Sequence, residues 1–190
     1  MKQFAFIFST IALAASLGSC NTKVKEERSQ RIDSLGIHLN HVEEVLAQVD
    51  TVALRNWAST IKQTEIWLWD NIEDTLEARP GIVLGDFFRT NKFIGKVGSR
   101  YRDVKKEAAY AKTQIATLRE DVKNNFYSEE EFRGYFSAEA DAIAKLIEAC
   151  DELENGNDLL QTRYKTIYPE ATAVIDSIKA VIYDPKPRAK

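Results

Sequence analysis

His38 and His41 are the only histidines in this chain of 190 residues, and Glu44 follows three positions further on. Groups three apart lie on neighbouring faces of a helix, so binding of one divalent ion is the chemistry they suggest. The surrounding apolar pattern argues otherwise. It turns His41 outward and leaves His38 beside the apolar stripe, which makes two solvated imidazoles and a surface carboxylate. No metal or other cofactor is expected. Cys150 falls between Leu146 and Leu153 at core spacing, with no base or cation to make it a thiolate, and reads as a packing residue. Glycine-rich phosphate loops, nucleophile elbows and metalloprotease patterns are absent from the sequence, so no enzymatic activity is expected. A basic stretch includes Arg89, Lys92, Lys96, Arg100, Lys105 and Lys112, and an acidic one includes Glu129, Glu139, Glu148, Asp151 and Glu152. The basic stretch alone suits phosphates. Set against the acidic one, it reads instead as charge pairing between neighbouring helices. The net charge is only −3, and no nucleic-acid partner is expected.

The chemistry that the sequence does specify lies at its start. Lys2 precedes an apolar run from Phe4 to Leu17, and the small residues Gly18 and Ser19 lead to Cys20. That order of charge, apolar stretch and small residues is the layout of a secretory leader. The run would extend about 21 Å as a helix against a bilayer core of about 30 Å, so spanning is disfavoured. Leu17-Gly18-Ser19-Cys20 resembles the lipobox of bacterial lipoproteins. The commonest pattern has Ala or Ser and then Gly or Ala at the two middle positions. The resemblance implies cleavage before Cys20, with Leu17 fitting the peptidase, and diacylglycerol on the Cys20 sulfur. It covers only the first twenty or so residues. Several acyl chains on one residue hold a protein on a membrane where a single chain would be marginal.

Beyond the anchor the chain reads as all-α. Apolar residues recur at alternating steps of three and four, the spacing of a coiled-coil seam. The first seam runs Ile32, Leu35, Leu39, Val42, Leu46, Val49 and Ala53. It then steps by four to Trp57 and Ile61 and continues through Leu68 and Ile72, and Arg79-Pro80-Gly81 is expected to end its helix. The second runs from Ile94 and Val97 through Val104, Ala108, Ala111, Ile115 and Leu118 to Val122. Residues 81–91 form either a separate short helix or the start of this one. Ser128 and Glu131 have capping-box spacing. The third seam runs from Phe136 and Ile143 through Leu146, Cys150, Leu153, Leu160 and Tyr164 to Val174, Ile178 and Val181. Asn157 occupies one core slot, and Pro169 is expected to kink the helix or begin a new segment. Three long helices with short turns make an elongated antiparallel bundle, coiled-coil-like, running up, down and up. The expected division is a leader at 1–19, a polar tether at 20–29, a single bundle at 30–183 and a disordered tail at 184–190.

The aromatic residues divide between core and surface. Trp57 follows the first seam, and Trp69 shares a helical face with Ile72 and Leu76, so both are expected to be buried. Ile66 and Trp67 fall on an otherwise polar stripe, which marks them as a candidate partner-binding site unless Phe87, Phe88 or Phe93 folds back over them. Phe126, Tyr127, Phe132, Tyr135 and Phe136 cluster near the second turn and suit either closure of a bundle end or an interfacial membrane contact. The expected function is that of a non-catalytic lipoprotein, held to a membrane of the cell envelope through lipid on Cys20. The outer membrane is the expected site, with the periplasmic or surface face left open, and the helical rod would meet an envelope protein partner. The alternative is a periplasmic lipoprotein that binds a small ligand such as a lipid, haem or a metal.

Overall fold

The computed structural model describes residues 4–73 and 75–183, with side chains described for 22–73 and 75–182. Four helices account for them: α1 (Phe4–Gln48), α2 (Thr51–Asn71), α3 (Ala78–Lys123) and α4 (Glu129–Tyr183). No strand occurs among the described residues, and the fold is an all-α bundle, as the seams require. The chain divides into two compact units. One comprises residues up to 44 with 106–148, the other 45–105 with 149 onwards. The expected tail at 184–190 lies outside the described residues.

In the first unit, Ile32, Leu35, Leu39 and Val42 of α1 are buried with Ala108, Ala111, Ile115, Leu118 and Val122 of α3, and with Phe132, Ile143 and Leu146 of α4. Every one of these except Phe132 belongs to an expected seam. Asp33 pairs with Arg119 and Glu43 with Lys112, so α1 ascends as α3 descends. Arg28 pairs with Glu129 at the start of α4, which sets α4 parallel to α1. The up, down and up order is the result. Lys112 of the basic stretch therefore finds its partner on α1, whereas Arg100 pairs with Glu152 of α4 as the charge blocks suggested.

The turn at 124–128 is closed from both sides. Phe126 N–H donates to the Asp121 carbonyl at 3.0 Å and Asn125 N–H to that of Val122 at 3.2 Å, the two bonds of a Schellman end. Asn125 has φ 57°, a left-handed conformation that asparagine tolerates better than most side chains. Glu131 N–H then donates to Ser128 Oγ, and Ser128 N–H returns a 2.8 Å bond to Glu131 Oε2. This is the capping box read from the sequence. The Ser128 hydroxyl also donates to Oε2 at 2.7 Å, and this bond with the one from Ser128 N–H holds the Glu131 carboxyl below its ordinary value of 4.5.

In the second unit, Leu54, Ile61 and Leu68 of α2 face Leu84, Phe87, Ile94 and Val97 of α3, and Cys150, Leu153, Leu160 and Tyr164 of α4, all buried. Trp57 stacks on Tyr164 with ring centres 4.2 Å apart. Arg100 pairs with Glu152 and Arg163 with Asp86, as antiparallel α3 and α4 require. Asn157 is buried in its expected slot. The helix of Pro169 begins no new segment and runs unbroken to Tyr183.

The first seam departs from expectation in three ways. Its helix breaks at Val49–Asp50, where Asp50 accepts bonds from the amides of Val52 and Ala53 and so caps α2. Across the break the buried positions become Val45 and Leu54, in place of Leu46 and Ala53. Lastly, α2 stops at Asn71, and Pro80 lies in the first turn of α3, where a missing N–H costs nothing. Residues 81–91 are accordingly the start of α3.

Replacing Asp50→Ala should cost about 1 kcal/mol of stability, read from urea unfolding at neutral pH. Glu131 titrates lower in the folded chain than in the unfolded one. Its bond to Ser128 therefore favours the fold above pH 4.5 and is lost as pH falls from there through the lowered folded value. Ser128→Ala should flatten that part of the pH–stability curve, and an unchanged acid limb would contradict the assignment.

Candidate functional site

Leu17, Gly18, Ser19 and Cys20 are the residues that would carry processing and lipid, and their side chains lie outside the described residues. Residues 22–29, expected as a loose tether, are helical as part of α1. Arg28 closes this stretch onto the 124–128 turn. Its guanidinium lies 4.9 Å from the ring centre of buried Phe132 and donates to the Tyr127 carbonyl at 3.1 Å and to Glu129 at 2.7 Å. That bond holds the Glu129 carboxyl below its usual range. Lys25 donates to the Lys123 carbonyl at 3.1 Å. Tyr127 donates its hydroxyl to Asp121, which pushes its pKa up to about 12. Of the aromatic cluster, Phe132 fills the core and Phe136 lies under Arg31, whereas Phe126 is 67 % exposed. Among the described residues, no helix is long and apolar enough to cross a membrane.

The histidines do not converge on a site. His38 and His41 are exposed, and no group of three metal-capable side chains forms among the described residues. Cys150 is buried, and burial pushes its thiol pKa up, away from nucleophilic chemistry.

Trp69 departs from the buried role expected of it. Trp69 is 81 % exposed, and it is Leu68 beside it that is buried. The expected face with Ile72 and Leu76 does not exist, because the helix has ended: Ile72 is the extended C-cap, with φ −117° and ψ 113°. Trp67 is half-buried, with Lys179 of α4 standing 5.1 Å over its ring. Ile66 is 48 % exposed, as its place on the polar stripe implied. Of the three phenylalanines that could fold back, Phe88 lies against Phe87 with ring centres 5.9 Å apart. Phe87 packs on Tyr164 and Tyr168, and Phe93 lies under Arg163.

Beyond Asn71 the second unit opens into a groove of about 1120 Å³. One wall is α4 from Glu170 to Ile182, about 18 Å of helix. Val174, Ile178 and Ile182 recur there at steps of four along one face. Facing them are Ile72 and Leu76 of the connector and Val83 of α3. All six are only half-buried. The cause is local: the third seam continues along α4, but the chain opposite it has left the helical conformation and covers it incompletely. Sequence periodicity placed Val174 and Ile178 in a core and gave no sign of this gap. A smaller groove of about 460 Å³ lies between α3 and α4, lined by Val97, Leu153 and Leu160 with Phe93 at its edge.

Comparison with known proteins finds no family model, no curated protein and no solved structure that matches the chain.

Adjacent positions on α2 should behave oppositely. Leu68→Ala should lose about 2–5 kcal/mol, as buried leucines do, whereas Trp69→Ala should stay within about 0.5 kcal/mol of the parent. Chemical denaturation of the two variants checks this, and a costly Trp69→Ala would mean that the ring is packed.

Proposed function

We propose that this chain is a lipid-anchored, non-catalytic lipoprotein of the cell envelope, fastened through Cys20, whose helical bundle meets a protein partner in the second unit. The single observation that carries the interaction reading is the half-buried apolar groove, beside a helix end where Ile66 and Trp69 stand in solvent. Apolar surface left open next to exposed large side chains is the usual mark of a contact site. The anchor reading is supported by the leader layout and the lipobox resemblance. The grip of Lys25 and Arg28, midway along α1, on the turn at 124–128 suits a domain held close to its lipid. The outer membrane is the proposed location.

A second reading, a small-ligand carrier, draws support from the groove of about 460 Å³, a volume within the range of ligand pockets.

Two measurements separate these statements. Metabolic labelling with radioactive palmitate should mark the parent protein and not Cys20→Ala; label retained in the variant would remove Cys20 as the anchor. A photo-reactive amino acid at position 69 in intact cells should yield a discrete protein adduct. No adduct there, together with a small molecule retained in the native mass spectrum, would favour the carrier.

A further inference from the structure

We infer that the apolar groove of the second unit is a receptor for a cationic amphipathic helix on a partner protein. This rests on the interaction reading above and names the chemistry of the partner. Two features of the groove carry it, and they are independent.

The first is the apolar wall. Val174, Ile178 and Ile182 present one helical face over about 18 Å, enough to lie along roughly three turns of a second helix. The volume of about 1120 Å³ lies just above the range of small-ligand pockets. An amphipathic helix that lays its apolar face into such a trough is a recurrent recognition mode, with anchors spaced three and four apart. The facing residues Ile72, Leu76 and Val83 would pack on the other flank of those anchors.

The second is charge. Asp70, Glu73, Glu77 and Glu170 line the groove and Arg79 is the only cation among the lining residues. None of these five makes a salt bridge among the described residues. What marks the groove is its balance of charge, four carboxylates to one cation around an apolar wall. A surplus of unpaired carboxylates around an apolar trough suits lysine or arginine on the flanks of an incoming apolar ridge and repels an acidic one.

The test uses the full chain in phosphatidylcholine nanodiscs, with empty discs as the blank. Three labelled 18-residue peptides are compared by fluorescence anisotropy: one of Leu and Lys with an amphipathic pattern, its Leu and Glu twin, and a Ser and Lys peptide of equal charge. The first should bind at least about tenfold more tightly than either control, and more weakly as salt is raised. A benzophenone at its centre should cross-link to residues 72–83 or 170–182. The surface variant carrying Glu73→Lys, Glu77→Lys and Glu170→Lys keeps the apolar wall and should bind the Leu and Lys peptide about tenfold less tightly. Circular dichroism checks that its helices persist. Equal affinity for the Leu and Glu twin, cross-links elsewhere on the chain, or indifference to the charge reversal in a folded variant would each overturn the inference. Capture of a protein at position 69 in cells alongside such a failure would leave the interaction reading standing and remove only this assignment of partner chemistry.

Discussion

Each helix of this protein carries one narrow apolar stripe, and a stripe of that width can leave water only by facing the stripes of two neighbours. Each large side chain so buried contributes about 1.5–3 kcal/mol, while the flanks of the stripe remain charged. The burial of Ile32, Ile115 and Phe132 in one unit, and of Ile61, Phe87 and Leu160 in the other, is the consequence. The direction of the chain is set by the flanks. Asp33 with Arg119, and Arg100 with Glu152, fit only antiparallel neighbours. These surface pairs add little energy, yet they select between arrangements that the apolar stripes alone would allow.

The same constraint accounts for the groove. A stripe is satisfied only while its neighbours remain helical. On α4 the apolar residues continue past Ala171, which is fully buried, to Val174, Ile178 and Ile182, which are not. Opposite them, Ile72 has already turned to an extended conformation. The mismatch between a long helix and a short one thus leaves apolar surface that the described residues do not cover. Two of the side chains that remain in solvent, Ile66 and Trp69, stand on the last turns of the helix that stops.

Helix ends divide the labour of the molecule. The turn at 124–128 is fixed from both sides, by a Schellman end and a capping box, and Arg28 bolts the middle of α1 to it through a ring, a carbonyl and a carboxylate. The connector between Ile72 and Glu77 borders the groove. Rigidity adjoins the proposed lipid attachment, while irregular backbone adjoins the proposed contact site, where it leaves apolar side chains free to meet another surface.

The sequence by itself determined the helices, the second seam almost residue for residue, the core place of Cys150 and the capping box at Ser128, because each depends on spacing within a few turns of one helix. It did not determine where the first helix would break. Asp50 caps a new helix only because doing so lets Leu54, Ile61 and Leu68 reach the core, a gain that depends on α3 and α4. That one break, with the stop at Asn71, removed Trp69 from the face it was expected to share with Ile72 and sent it into solvent. Exposure is a property of the neighbours a face receives. Periodicity along one segment specifies the face and carries no record of where the opposing segment ends, so the groove was settled by tertiary packing alone.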